Sequence, residues 1–237
     1  DNVSWRDFRL SVGVRHEDIR GVRDDYLSGS RVDNEQNNTS FGLGALWQAT
    51  DNLSLIAGVY QGFSPGAPGS GVEPEETINY EYGARYFKDN SRIELIGFFS
   101  DYDNLIGRCR VSDTGCGAGD EFNGGSIEVA GAELVGGASA DIANGLSISV
   151  DLSYTYTESA FQESFLSGFS QWGLVSKGDQ LPYLPLHVGR VQIGLEAPTW
   201  QIYAALKAQS KIREKPGRDK IASDLHGDER NILDITA

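Results

Sequence analysis

Two short stretches of the chain hold residue types that could bind an ion or a phosphate group. Asp101 and Asp103 lie in the sequence DYDN, whose alternate carboxylates match half of a calcium-binding loop. The glycine and the final glutamate of such a loop are not found at the required spacing. A glycine-rich stretch at 117–125, GAGDEFNGG, contains no lysine and follows no strand-to-helix pattern. It therefore does not fit a phosphate-binding loop, and we expect Asp101 and Asp103 to lie at a strand end.

Catalytic motifs are not found in the sequence. It contains neither a G-x-S-x-G nucleophile motif nor an H-E-x-x-H zinc motif. Its 34 Asp and Glu residues are numerous, but no spacing pairs two of them for acid–base chemistry. The sequence indicates no cofactor and no metal site. We therefore expect a protein that is not an enzyme.

The two cysteines, Cys109 and Cys116, lie in a polar, glycine-rich stretch. Two thiols cannot form a zinc site without histidines, and His16, His187 and His226 are all distant in sequence. The favoured interpretation is a local disulfide formed in an oxidising compartment, which would stabilise a short loop by about 2–3 kcal/mol. Two unrelated surface thiols are the alternative.

The balance of charge excludes one class of partner. The chain has 20 Lys and Arg residues against 34 Asp and Glu residues, so its formal net charge is −14. Such an acidic chain is unsuited to nucleic acid, whose recognition depends on Lys and Arg contacts to phosphates. It also offers no polybasic surface for anionic lipid headgroups.

The clearest structural pattern lies at 146–157, LSISVDLSYTYT, where apolar and polar residues alternate throughout. A period of two places the apolar side chains on one face of a strand and the polar side chains on the other. An ordinary strand has about five or six residues, whereas a tilted strand that crosses a bilayer needs about 9–11. Tyr154 and Tyr156 lie together at one end, as expected of an aromatic girdle at a membrane interface.

Similar alternation recurs in about ten segments, which are joined by connections of two kinds. Short turns are predicted near 50–52, 88–91, 141–145 and 198–199. Long loops are predicted near 17–38, 64–77, 105–126, 159–186 and 212–230. The two kinds alternate along the chain, so short turns lie at one rim and long loops at the other. The strand near 127–140 has no clear phase, and we expect a bulge in it.

These patterns predict an all-β fold: an antiparallel transmembrane β-barrel with short periplasmic turns and long extracellular loops. The apolar rows face lipid, and the polar rows face a wet lumen. The predicted lumen wall carries these charged residues: Arg9, Arg15, Glu81, Arg85, Asp151, Arg190, Glu196 and Lys207. For each of them the alternative is a solvated wall position with no specific role.

The chain is not expected to form a closed barrel alone. No apolar run has the about 18–20 residues of a transmembrane helix, and the first residues show no secretory signal pattern. Unpaired strand edges are costly in lipid, and the last predicted strand stops partway, at Ala237. We therefore expect further strands to complete the barrel.

Two neighbouring segments carry a specific pattern: Val72–Glu75 reads VEPE and Asn79–Tyr86 reads NYEYGARY. Together they resemble the "PE…YE.G.RY" segment of TonB-dependent outer-membrane receptors. Thr50–Leu55 and Gly62–Pro65 are similar to the turn and rising strand of the same family. Further segments are similar to its ferric-citrate branch, and the resemblance covers nearly the whole chain: Phe99–Ile106, the cysteine stretch, Gly119–Gly125, Gln171–Gly173 and Lys177–Tyr183.

The resemblance implies a barrel of about 22 strands in the outer membrane of a Gram-negative bacterium, filled by an N-terminal plug domain. Residues 1–237 would form roughly strands 11–20, a partial receptor barrel without the plug, the TonB box and the last strands. The implied function is active uptake of a ferric chelate, such as ferric citrate or another siderophore, with energy from TonB. The implied partners are that chelate, outer-membrane lipid, and the TonB complex acting through the plug, with which the wall charges could pair.

Ferric citrate and many siderophores are anionic, so a binding mouth should offer guanidinium or amide donors together with aromatic side chains. The candidates in the predicted long loops are Arg108, Arg110, Gln171, Trp172 and Lys177. No family motif marks these residues as ligands. The alternative is that they are ordinary exposed loop side chains.

Two other functions remain open from the sequence. A passive outer-membrane porin would share the strands and loops but would lack a plug. A soluble all-β carbohydrate-binding module would bury its apolar rows against a second sheet. The surroundings of the apolar rows therefore separate the soluble module from the membrane barrel.

Overall fold

The computed structural model describes residues 1–111, 113, 116–143, 145–169, 172–221 and 226–237. These residues form strands and no helix, so the predicted all-β class is confirmed. They include no helical segment that could cross a membrane. The strands are β1 (Asn2–Trp5), β2 (Phe8–Asp25), β3 (Ser30–Gln48), β4 (Leu53–Ser64), β5 (Glu75–Lys88), β6 (Ser91–Asp103), β7 (Ile106–Arg108), β8 (Glu121–Asn123), β9 (Ile127–Ala143), β10 (Leu146–Phe161), β11 (Phe165–Leu166), β12 (Leu174–Val175), β13 (His187–Ala197), β14 (Trp200–Gln209), β15 (Ile212–Arg213), β16 (His226–Gly227) and β17 (Arg230–Thr236).

Eleven strands form one antiparallel sheet in the order β1-β2-β3-β4-β5-β6-β9-β10-β13-β14-β17. Each strand pairs with the next long strand of the chain, and β1 and β17 are the edges within the described residues. The remaining strands form three small hairpins inside the connections. The sequence predicted about ten long strands; β1 was missed because four residues are too few to show an alternating pattern.

The sheet has one apolar face and one polar face, as the alternation predicts. Because directly paired residues share a face, the register links Val12, Leu43, Val59, Tyr80 and Phe99 into one apolar row. In this row the side chain of Val12 is 54% exposed and that of Leu43 is 52% exposed. An apolar surface of this extent needs a covering, and lipid provides one.

Burial of apolar side chains is concentrated away from these rows. The hydrophobic residues that the structure describes as buried belong to the opposite face or to the loops: Cys109, Ile127, Phe161, Phe169, Val175 and Ala205. A soluble sandwich would instead pack the apolar rows of two sheets together. In the described part of the chain no second sheet covers the rows, so the geometry does not favour a soluble carbohydrate-binding module.

Short and long connections lie at opposite rims, which confirms the predicted asymmetry. The short turns join Trp5 to Phe8, Gln48 to Leu53, Lys88 to Ser91 and Ala197 to Trp200, and β9 to β10. Four long connections lie at the other rim, and each takes a name: the proline loop (65–74), the cysteine loop (104–126), the aromatic loop (162–186) and the charged loop (210–229). The fifth connection at that rim is the tip of the β2–β3 hairpin (26–29).

The prediction of a long loop at 17–38 is wrong. Strands β2 and β3 continue in register through this region as far as the pair Asp25 and Ser30. Both faces of the extension carry polar residues, so no period-two pattern revealed it. Opposite charges face each other across the ladder, as in the Arg20–Glu35 ion pair at 3.0 Å. The extended hairpin therefore continues beyond the apolar band.

Strand β9 pairs with β10 without a break over 127–140, so the bulge predicted there is wrong, and the irregularity lies at the end of the strand instead. Its pairing with β10 shifts between Leu146 and Ser147, which leaves Ile142 as the extra residue of a bulge. The phase was ambiguous because small residues stand on both faces, among them Ala130 and Gly131. Strand β6 ends at Asp103, as predicted for the DYDN stretch.

Candidate functional site

The polar face of the sheet carries all the charged residues predicted for the lumen wall. One register line crosses it through Arg85, Glu94, Val135, Ser153, Arg190 and Lys207. The other predicted wall residues fall on the same face by the same alternation: Arg9, Arg15, Glu81, Asp151 and Glu196.

Most charges of this wall are paired within the wall itself. Arg85 pairs with Glu94 on the neighbouring strand. Lys207 Nζ lies 2.8 Å from Asp234 Oδ2, and Arg15 Nη2 lies 2.6 Å from Glu17 Oε1. The remaining partners are Gln192 for Arg190, Tyr60 for Glu81, Tyr203 for Glu196 and Arg92 for Asp151. Arg9 makes no ion pair with any residue that the structure describes.

A cavity of about 840 Å³ lies against the polar face next to the short turns. Asp89, Asp141, Asp151 and Glu196 line it, and Arg92 is its cation. Serine hydroxyls and the amide of Gln192 supply further polar groups. The part of the wall next to the short turns is therefore polar and predominantly negative.

At the opposite rim the cysteine loop and the aromatic loop share a hydrophobic core. Ile127, Phe161 and Val175 are fully buried there, and Trp172 packs against them. The indole of Trp172 lies edge-on to Phe122 and Phe161, at centroid distances of 5.4 and 5.7 Å. Its Nε1 is buried without a hydrogen-bond partner among the described residues. Trp172, predicted to contact a ligand, therefore belongs to the packing between two loops.

The cysteine loop is folded back on itself by a hairpin and a disulfide. Strands β7 and β8 pair over three residues. Just beyond them, Cys109 and Cys116 are joined by a disulfide, with 6.3 Å between their Cα atoms. The backbone N–H of Cys109 donates to the carbonyl of Asp120 at 2.9 Å. This hairpin fixes the positions of Arg108 and Arg110.

Arg108 lies beside a buried carboxylate that the sequence did not reveal. Its Nη2 donates to Glu121 Oε1 at 2.6 Å; the Arg108 side chain is 65% exposed and the Glu121 side chain 3%. The other carboxylate oxygen of Glu121 accepts the backbone N–H of Ala67 at 2.6 Å. Burial raises the pKa of Glu121, but these hydrogen bonds to the charged form outweigh it, so the pKa is lowered from its ordinary value.

The proline loop packs against the polar face of the β2–β3 hairpin. The carbonyl of Gly66 accepts hydrogen bonds from the side-chain amides of Asn34 and Gln36, both at 3.4 Å. The ring of Pro68 lies so close to Gly21 that a Cβ there would be 2.6 Å from Pro68 Cγ. The hairpin extension is therefore held by a loop folded against its polar side.

The charged loop is attached to the aromatic loop. Gln180 and Gly217 form a β-bridge, and Arg213 Nε donates to Gln180 Oε1 at 3.1 Å. The backbone N–H of Tyr183 donates to the carbonyl of Arg213 at 2.8 Å. Burial and the nearby carboxylates of Glu214 and Asp113 raise the pKa of Tyr183. Each long connection at this rim therefore contacts its neighbour.

The candidate binding residues occupy different places in this loop assembly. Arg108 and Arg110 lie in the cysteine loop with exposed side chains. Lys177 is also exposed, while its backbone N–H donates to Ser164 Oγ at 2.8 Å. Gln171 lies outside the described residues. No group of His, Cys, Asp or Glu side chains in the described ranges is arranged to hold a metal ion.

Solved structures of outer-membrane iron receptors share this fold. The unliganded ferric citrate transporter FecA superposes with a TM-score of 0.71 at 17% identity, over 97% of this chain and 34% of that chain. The siderophore receptor PiuA from Acinetobacter baumannii gives 0.68 at 17% identity, over 98% and 34%. A mutant of the ferric enterobactin receptor PfeA from Pseudomonas aeruginosa, bound to enterobactin, gives 0.60 at 20% identity, over 99% and 36%.

The chain thus spans about a third of the length of the solved receptors that it matches. A family model described as "TonB dependent receptor-like, beta-barrel" matches residues 1–218. Barrels of this family lie in the outer membrane of Gram-negative bacteria. A sheet with one apolar and one polar face is suited to that environment. This chain belongs to the TonB-dependent receptor β-barrel family.

Proposed function

We propose that the chain is part of an outer-membrane active transporter that takes up a ferric chelate, ferric citrate or another siderophore, with energy from TonB. The observation that carries the proposal is the loop assembly, which lies at the rim of a polar wall and exposes guanidinium groups. Arg108 and Arg110 are held there by a disulfide-closed hairpin. The FecA, PiuA and PfeA receptors that share the fold are described as transporters or receptors of ferric citrate, siderophore and ferric enterobactin.

The proposed binding mouth consists of Arg108, Arg110, Gln171, Trp172 and Lys177. Arginine suits an anionic chelate because its planar guanidinium donates two parallel hydrogen bonds to a carboxylate. Arg108 uses one terminal nitrogen for Glu121, and its exposed remainder is available to a ligand. Trp172 contributes by packing the cysteine loop against the aromatic loop.

The remaining parts of the transporter belong to the proposal as well. Residues 1–237 form part of the barrel domain, and further strands and a plug domain come from the rest of the receptor. Coverage of about a third of the solved receptors supports this division. TonB acts through the plug, and lipid surrounds the apolar rows. Arg9, which has no ion-pair partner in the described wall, and the negative cavity are available for contacts with the plug.

Uptake measurements test the proposal against the porin alternative. The full-length gene is expressed in a Gram-negative strain that lacks its own ferric-chelate receptors, and uptake of radioactive ferric citrate and ferric enterobactin is followed. The proposal predicts saturable uptake that stops when TonB is deleted or the proton-motive force is collapsed. Uptake that persists without TonB and rises linearly with solute concentration would show a passive pore instead. A passive pore would overturn the proposal.

A further inference from the structure

Two long loops at the extracellular rim meet at a single carboxylate group. Glu121 Oε1 accepts a hydrogen bond from Arg108 in its own loop, and Oε2 accepts one from Ala67 in the proline loop, each at 2.6 Å. The side chain of Glu121 thus contacts Ala67, a residue 54 positions earlier in the sequence.

Burial of the Glu121 side chain makes both of its hydrogen bonds necessary. Its side chain is almost completely buried, so its charge needs a partner for each oxygen. Removing the carboxylate would leave the N–H of Ala67 without its acceptor and Arg108 without its anchor. A partly buried donor that loses a charged acceptor destabilises the contact, whereas an exposed arginine readily moves. The contact between the proline loop and the cysteine loop should therefore be lost when Glu121 is replaced.

We propose that Glu121 is a positioning residue of the binding mouth, which fixes the guanidinium of Arg108 and fastens the proline loop to the cysteine loop. The inference rests on the proposed function in one respect, that Arg108 contacts an anionic ferric chelate. The junction itself consists of contacts within the chain. It can therefore be tested separately from chelate binding.

The first test is hydrogen exchange of the full-length receptor without ligand. In Glu121→Ala, the amides of the proline loop should exchange at least about tenfold faster, because Ala67 loses a hydrogen bond to a charged acceptor. The matched control is Glu163→Ala, since Glu163 accepts the backbone N–H of Ser126 in the cysteine loop at 3.3 Å, rather than one from the proline loop. Exchange in that loop should be unchanged in the control. Unchanged exchange in Glu121→Ala would overturn the inference.

The second test separates positioning from simple charge balance. Glu121→Gln keeps an oxygen that can accept from Ala67 but removes the negative charge beside Arg108. If Glu121 positions Arg108, this variant should bind the anionic chelate about tenfold more weakly than wild type. If Glu121 only neutralises Arg108, the variant should bind more tightly because the local potential becomes more positive. Tighter binding would overturn the positioning role.

The two tests also distinguish failure of this inference from failure of the proposed function. Binding is measured by titration with ferric citrate and with ferric enterobactin. A wild-type receptor that binds neither chelate contradicts the proposed function, while the exchange experiment still decides whether Glu121 joins the loops. A wild-type receptor that binds one of them, together with an unchanged proline loop in Glu121→Ala, contradicts only the inference about Glu121.

Discussion

Arg92 on β6 and Asp151 on β10 form an ion pair across the strand that lies between them, with 3.0 Å between Nη2 and Oδ1. The register places Gly137 of β9 directly between the two residues. A Cβ at Gly137 would lie 2.9 Å from Asp151 Oδ1 and 3.0 Å from Arg92 Nε. The two side chains meet over β9 because the glycine leaves that space free.

Replacing this glycine should weaken the wall. In Gly137→Ala we expect the free energy of unfolding to fall by about 1 kcal/mol, a modest loss because both partners of the ion pair are partly exposed. The matched control is Gly136→Ala on the apolar face, where the nearest atom to an added Cβ is 3.7 Å away. Urea unfolding of the full-length receptor in liposomes measures both variants. Equal effects at the two positions would contradict the role given to Gly137.

A charged side chain should lower the stability of the receptor strongly on the apolar face of the sheet and only slightly on the polar face. Ile193→Lys places an ammonium group on the lipid side and should cost about 2–4 kcal/mol near the bilayer centre. Ser149→Lys, on the neighbouring strand β10, points the same group toward the wet lumen beside the negative cavity and should cost less than about 1 kcal/mol. The fraction of assembled receptor and its urea midpoint measure the difference. Comparable losses in the two variants would be inconsistent with lipid on one side only.

Most of the sheet could be predicted from the sequence because its signal is local. The alternation at 146–157 depends only on which residue follows which, and strand β10 contains the whole segment. The extension of β2 and β3 was missed because a strand outside the membrane has no apolar row to mark it. Strand β1 was missed because Asn2–Trp5 is too short. The sequence thus predicts the strand segments that cross the membrane, because contact with lipid requires an apolar residue at every second position.

The loop assembly could be predicted only in part. The disulfide interpretation needed two cysteines in one short stretch, and the structure joins Cys109 to Cys116. Glu121, by contrast, is one of 34 acidic residues in the chain. Nothing in the sequence around it indicates that Ala67 will contact it. Trp172 was selected for its residue type, but its packing depends on Phe122 and Phe161. Contacts between distant loops leave no periodic trace in the sequence.

The junction at Glu121 should depend on pH in a definite direction. The pKa of Glu121 lies below its ordinary value of 4.5, since the hydrogen bonds from Arg108 and Ala67 outweigh the opposing effect of burial. A carboxyl group with a lowered pKa stabilises the folded junction above the ordinary value and loses that contribution as pH falls through the lowered one. A nitroxide at Glu73→Cys in the proline loop should therefore stay immobile at about pH 5 and become mobile only at lower pH.

The matched sample for this titration carries the same label in a Glu121→Gln background. Glutamine does not titrate, so its spectrum should not change across the same range. Release of the label in both backgrounds at the same pH would show that a group other than Glu121 controls the loop. Cys109 and Cys116 are joined by a disulfide, so the introduced thiol is the free one within residues 1–237.

The most direct measurement of the two-faced sheet is the accessibility of nitroxide labels placed along β10. Cysteine is introduced singly at Ser149, Val150, Leu152 and Ser153 of the full-length receptor in liposomes, and collisions with oxygen and with a water-soluble nickel chelate are compared by electron paramagnetic resonance. Oxygen, which partitions into lipid, should dominate at Val150 and Leu152, and the nickel chelate should dominate at Ser149 and Ser153. Labels at Val150 and Leu152 that neither reagent can reach, as in a core between two protein layers, would contradict the membrane barrel.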